Sequence, residues 1–383
     1  MYKRIFKISE DSKQSFFLFG PRGTGKTTWL KENFKNSVYL DLLESKLNRI
    51  LLASPEKLEK YIPPNYKDWI ILDEVQKIPA LLNEVHRLIE GKKYKFILTG
   101  SSARSLRKKG TNLLAGRALT YYFHPLIQSE LDTDFSFSYS LKYGQLPLAY
   151  SSSNPGKFLE SYIQTYLREE VLQEGLTRNI GSFSRFLEIA SFSQGEVLNI
   201  SQIAQEAQLE RKTVENYFKI LEDLLIGFRL PVFNKRAKRK LISHNKFYYF
   251  DTGVFRTLRP TGPLDSESEI DGPALETLFL QEIRAINDYY NLAYNIYYWR
   301  SVTGLEVDFI LYGPKGLFAF EIKRKAVITN KDLNGLNSFY KDYPQAKCYV
   351  FCSTNKQEYR DNISIMPIKD AIKKLSAILK NML

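Results

Sequence analysis

The sequence predicts an α/β protein built in three parts, and three observations carry that expectation. Short apolar runs alternate with helical patterns over residues 1–125, two amphipathic helices joined by a tight turn follow, and two otherwise apolar strands carrying acidic residues lie near the end. Alternating buried strands and helices imply a parallel sheet covered by helices on its faces. At 383 residues the chain exceeds the about 100 to 200 residues usual for one domain, so more than one core is expected. Hydrophobic residues at 44% and charged residues at 25% are ordinary globular usage, which excludes a disordered or fibrous chain.

Composition also narrows the chemistry. The N-terminus lacks the apolar core of a signal peptide, and no apolar run approaches the ~20 residues of a membrane-spanning helix, so a cytoplasmic protein with no membrane partner is expected. His86, His124 and His244 are scattered, and Cys348 and Cys352 share a run, Lys-Cys-Tyr-Val-Phe-Cys, that reads as a buried strand. That pattern argues against a zinc site or a histidine-based nucleophile relay. The net charge of +13 favours polyanions and makes nucleic acid a candidate partner.

In the first part, Ser15 to Phe19, Val38 to Leu42, Trp69 to Leu72 and Phe96 to Thr99 read as buried strands. After the first comes Gly20-Pro21-Arg22-Gly23-Thr24-Gly25-Lys26-Thr27, a full match to G-x-x-x-x-G-K-[ST] between a strand and a helix. The glycines let backbone N–H groups wrap a phosphate, and the helix that begins near Lys26 adds its positive dipole end. Lys26 is expected to reach the β and γ phosphates of ATP. Thr27 supplies a hydroxyl to Mg²⁺, and Thr28 is a helix residue beside it. The third run ends in Asp73-Glu74, the layout of a Walker B motif, with Asp73 holding the magnesium ion and Glu74 orienting or deprotonating the attacking water. Thr99 and Ser101, at the end of the fourth run, are candidate sensors of the γ phosphate. A cation over the developing charge is worth about 10³ to 10⁵ in rate. Arg117 is the leading candidate, with Arg104 and Arg22 behind it, and action within one subunit or across two stays open.

Residues 126–181 are expected to form a lid or linker, with a loop near Ser151 to Gly156 and a helix from Phe158 to Gln173. Over 182–258 a winged helix-turn-helix is expected. Phe183, Phe186, Leu187 and Ile189 make one helical face, Ile200 to Ala207 a second helix, Gln208 to Glu210 the turn and Arg211 to Leu225 the third helix, with two wing strands from Gly227. Lys235-Arg236-Ala237-Lys238-Arg239-Lys240 places five cations in six residues at the expected hairpin tip. Contact with DNA phosphates and docking on protein are both open for this element.

The last part, 259–383, opens with a helix from Pro273 to Asp288, followed by strands Gly304 to Leu311 and Gly316 to Lys323. Alternation puts Glu321 and Lys323 on one face, with Asp308 facing them from the neighbouring strand. Carboxylates inside apolar strands are costly unless neutralised. A divalent cation on Asp308 and Glu321 would do so, with Lys323 steadying a water or a phosphate beside it and Glu276 as a third acid. A salt-bridged cluster on a sheet edge satisfies the same residues.

Glu276, Asp308 and Glu321-Ile322-Lys323 together resemble the active site of the PD-(D/E)xK, or restriction-endonuclease-like, nucleases. The order Gly20 to Thr27, Asp73-Glu74, Leu114-Ala115-Gly116-Arg117 and Lys246-Phe247-Tyr248-Tyr249-Phe250-Asp251-Thr252-Gly253 resembles a bacterial and archaeal family of AAA-type P-loop ATPases with a nuclease-like C-terminal domain. The resemblance covers nearly the whole chain. It implies an N-terminal AAA-type ATPase domain, a middle winged helix-turn-helix and a C-terminal restriction-endonuclease-like α/β domain. It further implies ATP and Mg²⁺ as cofactors, DNA as partner and a homo-oligomer. Many relatives of the nuclease fold keep its shape without activity, so an ATP-linked nuclease and an ATP-dependent switch with a silent nuclease-like fold both stand as expectations.

Overall fold

Five strands of the first part line up in one parallel sheet, because the inner ones are apolar enough to be covered on both faces. In the computed structural model, which describes residues 2–8, 14–102, 114, 117–167, 171, 179–235, 244–263 and 265–382, the chain divides into two compact units. The first holds residues 4–125 together with 223–225, and the second holds the rest.

The first unit contains β1 (Ser15–Phe19), α1 (Lys26–Asn33), β2 (Val38–Asp41), α2 (Ser45–Ala53), β3 (Trp69–Asp73), α3 (Leu81–Lys92), β4 (Lys95–Gly100) and β5 (Ala118–Tyr122). The strand order is β2-β3-β4-β1-β5, with every neighbouring pair parallel. β1 is buried along its whole length, and Phe17 and Phe19 join Leu72, Leu98, Val85 and Leu88 in one core. The expected strands are present. β5 was not foreseen, since an edge strand reading Ala-Leu-Thr-Tyr-Tyr is half exposed and carries no apolar run.

In the second unit, short helices at Gln128–Leu131, Phe137–Tyr143, Pro147–Ser151 and Pro155–Ser161 precede the three-helix region. The helix expected from Phe158 starts earlier, at Pro155, and becomes π-helical over Tyr162–Leu167; residues 168–170 and 172–178 of that expectation lie outside the described residues. Helices α4 (Ile180–Ser191), α5 (Ile200–Ala207) and α6 (Arg211–Asp223) follow. Asn179 and Asn199 cap α4 and α5 by accepting the N–H groups of Ser182 and Gln202, and Gln208 turns the chain with φ 54°. Ala190 replaces Ile189 on the buried face of α4, where Ile189 is only partly covered.

Strands β6 (Gly227–Leu230) and β7 (Lys246–Tyr249) pair antiparallel, from Gly227 with Tyr249 to Leu230 with Lys246. Beyond β6 the chain does not run on as a free hairpin. It joins the C-terminal sheet, where Phe233 donates its N–H to Tyr298 O at 2.7 Å and packs its ring on Tyr297, Phe339 and Tyr343. Arg236 to Lys240, the basic run, lie outside the described residues.

Helix α7 (Thr252–Leu258) is capped by Asp251, which explains the Phe-Asp-Thr-Gly mark structurally. Its fully buried carboxylate accepts N–H groups from Gly253 at 2.9 Å, Val254 at 3.1 Å and Gln145 at 2.8 Å, tying the helix to the preceding helical region. Helix α8 (Glu267–Tyr289) then leads into β8 (Asn295–Arg300), β9 (Glu306–Gly313), β10 (Gly316–Lys323), α9 (Asn330–Asp342), β11 (Lys347–Cys352), β12 (Glu358–Arg360), β13 (Ile363–Pro367) and α10 (Ile368–Leu379). The sheet order is β12-β13-β11-β10-β9-β8, with β8, β9 and β10 a meander and β11 parallel to β10. Cys348 and Cys352 are buried in β11, and burial pushes the Cys348 thiol up to about 12. Among the described residues no helix is long and apolar enough to cross a membrane.

Candidate functional site

The loop between β1 and α1 closes because its glycines sit where side chains do not fit. Gly25 caps α1 with φ 92°, in the left-handed region. A Cβ at Gly20 would lie 2.2 Å from Phe123 O, since β5 ends against the loop. Pro21 and Thr24 are buried, with Thr24 Oγ1 donating to Pro21 O at 2.8 Å, and Arg22 and Gly23 are partly covered. The Lys26 ammonium folds back along the loop and donates to Gly20 O at 2.5 Å and Pro21 O at 3.1 Å, and Thr27 and Thr28 follow it in the first turn of α1. Arg4, missed in the sequence because it lies outside any motif, braces the loop from behind. Its guanidinium donates to Thr24 O at 2.7 Å and His124 O at 2.6 Å and lies over the Phe123 ring.

Asp73 is the hub beneath the loop. Thr27 Oγ1 donates to its Oδ2 at 3.0 Å, Tyr39 OH donates to the same oxygen, and Thr99 Oγ1 donates to Oδ1. Burial and the Asp73 charge push the Tyr39 phenol up, so it remains a donor. A hydroxyl and a carboxylate side by side at the foot of a phosphate loop suit Mg²⁺, which prefers oxygen ligands and keeps several waters. Glu74 turns out of β3 with φ 61°. Gln76, a second residue that the sequence did not reveal, donates its amide N–H to Glu74 Oε2 and to Ser101 Oγ, the latter at 3.2 Å. The structure thus brings Lys26, Thr27, Asp73, Glu74, Thr99 and Ser101 together.

Arg117 is placed elsewhere. Ala118 pairs with Ser15 at the start of β1, whereas the phosphate loop follows Phe19 at its end. With a rise of about 3.3 Å per residue, Arg117 stands on the order of 15 Å from its own loop. It pairs with Glu90 near the end of α3. Arg104, with Ala115 and Gly116, lies outside the described residues.

The second constellation forms in the C-terminal sheet. The β9–β10 ladder ends at Phe309 opposite Phe320, and beyond it Asp308 Oδ2 accepts the Ile322 N–H at 2.7 Å. Glu321 Oε1 pairs with Lys323 Nζ at 2.5 Å, while Glu321 Oε2 is buried with no hydrogen-bond partner among the described residues. Glu276, on α8, accepts from Tyr248 OH at 2.7 Å. Lys246 pairs with Glu306 Oε1, and Arg300 pairs with Glu306 Oε2 at 3.2 Å. Burial first and Asp308 second push the Glu276 carboxyl up to about 7, and the same causes push Glu321 well above the carboxylate range. Burial pulls the Lys246 and Lys323 ammonium groups down, but the surrounding carboxylates outweigh it and leave both above their ordinary value.

Lys246, Tyr248 and Glu306 were not among the expected residues. Sequence spacing located the acids and Lys323 but not the strand that faces them. Four carboxyl groups, Glu276, Asp308, Glu306 and Glu321, meet three cations, Lys246, Lys323 and Arg300, and a single proton balances the set. Among the described residues no three Asp, Glu, His or Cys side chains are placed to hold a metal ion. The expected metal pair, Asp308 and Glu321, is engaged in this arrangement by the Ile322 N–H and by Lys323.

Comparison with known proteins bears on the first unit. Residues 12–132 match the model of an AAA domain (AAA_14), residues 135–265 a domain of unknown function (DUF8612) and residues 271–371 another domain of unknown function (DUF4143). An uncharacterized protein of Mycobacterium tuberculosis is 25% identical over 319 residues, 80% of this chain and 69% of that protein. An uncharacterized protein of Haemophilus influenzae is 22% identical over 217 residues, 52% of this chain and 54% of that one. The ADP form of the Aeropyrum pernix ORC2 protein superposes with a TM-score of 0.30 at 13% identity, covering 69% of this chain and 88% of that one. The phosphate loop, the Asp73 hub and the AAA match agree, and residues 12–132 are a P-loop AAA-type ATPase domain.

Proposed function

We propose that this protein is a MgATP-hydrolysing switch whose second unit contacts DNA, with the acidic cluster of that unit chemically silent. The observation that carries the reading is the convergence of Thr27, Tyr39 and Thr99 on Asp73 beside Glu74. Thr27 and Asp73 would hold Mg²⁺, which neutralises charge on the β and γ phosphates. Lys26 leaves the Gly20 and Pro21 carbonyls for the phosphates, the loop N–H groups orient them, and Glu74 takes the proton of the attacking water. Thr99 and Ser101 stand where a γ phosphate is sensed. In this reading the protein is a homo-oligomer in which Arg117 serves the nucleotide of a neighbouring copy.

The DNA-contacting reading is supported by the net charge of +13 and by α6 following α5 across a tight turn, the order of a winged helix-turn-helix. Its outer face exposes Arg211, Lys212, Asn216 and Lys219. The test is one set of measurements on the full chain: ATP turnover, ATP binding and anisotropy of a labelled DNA duplex with ATP or ADP. Glu74→Gln is expected to bind ATP as tightly as wild type, to lose turnover, and to lock the DNA affinity at its ATP value. Turnover that survives in Glu74→Gln would remove the assigned base, and a DNA affinity blind to nucleotide would remove the switch.

A second reading is favoured by the partnerless Glu321 Oε2, which leaves one acceptor in the cluster unused. In it, withdrawal of β7 lets Asp308 and Glu321 take Mg²⁺ beside Lys323, with Glu276 in support, as in a nuclease. Mg²⁺-dependent DNA cleavage that disappears in Asp308→Ala while ATP turnover persists would establish it.

A further inference from the structure

The side chains that β7 sends into the acidic cluster are a cation and a phenol. Lys246 is 2% exposed and pairs with Glu306, and Tyr248, two residues on and therefore on the same strand face, gives its hydroxyl to Glu276 at 2.7 Å. The neighbouring segment closes the cluster further. Gly195 donates its N–H to Phe247 O at 2.8 Å, and a Cβ there would lie 3.2 Å from Glu276 Oε2. The Lys246 ammonium also lies 5.5 Å from the centre of the Tyr298 ring, a second favourable contact for its charge. On the other side Lys323 pairs with Glu321, and Asp308 is held by the Ile322 N–H.

We propose that Lys246 is the resident cation of this cluster, placed where a divalent ion would otherwise neutralise Glu276, Asp308 and Glu306, so that the wild-type cluster takes up no metal. The inference rests on the silent reading of the second unit and gives that silence a cause. A tethered ammonium supplies one fixed charge and three donors, so it satisfies buried carboxylates. It offers no exchangeable water and no ligand position to a phosphate, which are the services a metal ion provides. Removing it would take a counter-charge from Glu276, buried Asp308 and Glu306, of which Glu306 alone keeps Arg300, an unfavourable state unless another cation enters.

The experiment measures Mn²⁺ uptake by calorimetry on the full chain without nucleotide, with Asp308→Asn used to assign any binding to the cluster. Wild type is expected to show no Asp308-dependent uptake. Lys246→Met is expected to gain one Mn²⁺ per chain, lost again in Lys246→Met combined with Asp308→Asn, and to melt at higher temperature when Mn²⁺ is added. Asp308-dependent uptake by wild type would overturn the proposal, as would a folded Lys246→Met chain that binds no more Mn²⁺ than Asp308→Asn. Should Lys246→Met unfold, recovery of a cooperative melt with Mn²⁺ supports the proposal, and failure of both Lys246→Met and Lys246→Gln to recover overturns it. Absence of DNA cleavage is common to every silent reading, whereas metal uptake separates this cause from others.

Discussion

Replacing Asp251 with alanine tests whether the Phe-Asp-Thr-Gly segment is a structural clamp. The carboxylate is fully buried and accepts three backbone N–H groups, from Gln145, Gly253 and Val254. Each orphaned buried donor costs about 1 to 3 kcal/mol, so the gross loss is about 3 to 9 kcal/mol. Burial pushes the Asp251 carboxyl from 3.8 up to about 6. A shift of roughly two units is worth about 3 kcal/mol, which the alanine variant recovers at neutral pH, leaving a net loss of about 0 to 6 kcal/mol there. The pH dependence follows from the direction of that shift. Between 3.8 and about 6 the folded state binds more protons than the unfolded one, so this group's contribution is full below 3.8 and is lost as pH rises through about 6. The alanine penalty should therefore be largest near pH 4 and smaller at pH 7. Urea unfolding followed by Trp299, with Trp29→Phe and Trp69→Phe removing the other two tryptophans, reads the second unit alone. A loss below about 1 kcal/mol near pH 4, or equal losses at the two pH values, would refute the clamp.

Three further outcomes concern the first unit. Arg4→Ala, which removes charged hydrogen bonds to Thr24 O and His124 O worth about 1.5 to 3 kcal/mol each, should weaken ATP binding tenfold or more in a fluorescent-nucleotide titration while turnover at saturation changes less. Gly100→Ala puts a Cβ 2.3 Å from Gln76 Oε1 and should displace the amide that ties Glu74 to Ser101, lowering turnover about 10-fold with ATP affinity kept. Arg117→Ala should lose turnover, and mixing it with Glu74→Gln should restore part of it, since one copy then supplies the base and the other the arginine; no recovery on mixing would place the arginine outside the site.

Legibility differed between the two constellations for a physical reason. Wrapping a phosphate requires consecutive backbone N–H groups, so Gly20 to Thr27 must be contiguous and was visible at once. Asp73 and Glu74 were visible because a strand that ends in two acids stands beside that loop in a parallel sheet. Arg4, Tyr39 and Gln76 were not, since any side chain able to reach Thr24 O, Asp73 or Glu74 would serve, and no spacing rule selects these three. The position of Arg117 was not legible for a related reason. Leu-Ala-Gly-Arg says nothing of strand register, and only the pairing of Ala118 with Ser15 shows which end of the sheet the arginine occupies.

In the second unit the alternation of Asp308, Glu321 and Lys323 was readable, but what neutralises them was not. A buried carboxylate accepts a metal ion, a lysine or a proton as its partner, and the choice depends on whatever the tertiary fold brings against it. Here that is β7, which lies 30 residues before Glu276 and 60 before Glu306 when counted from Lys246. The detour of Phe233 into the C-terminal core keeps β6 and β7 beside β8, and so keeps Lys246 over the acids. An acidic pattern shared with metal-dependent nucleases therefore specifies where negative charge is buried, while the catalytic question is decided by the cations that face it. In this chain the packing that makes the second unit one body is the same packing that fills its acidic cluster. Activity at Asp308 would require the unit to open along β7.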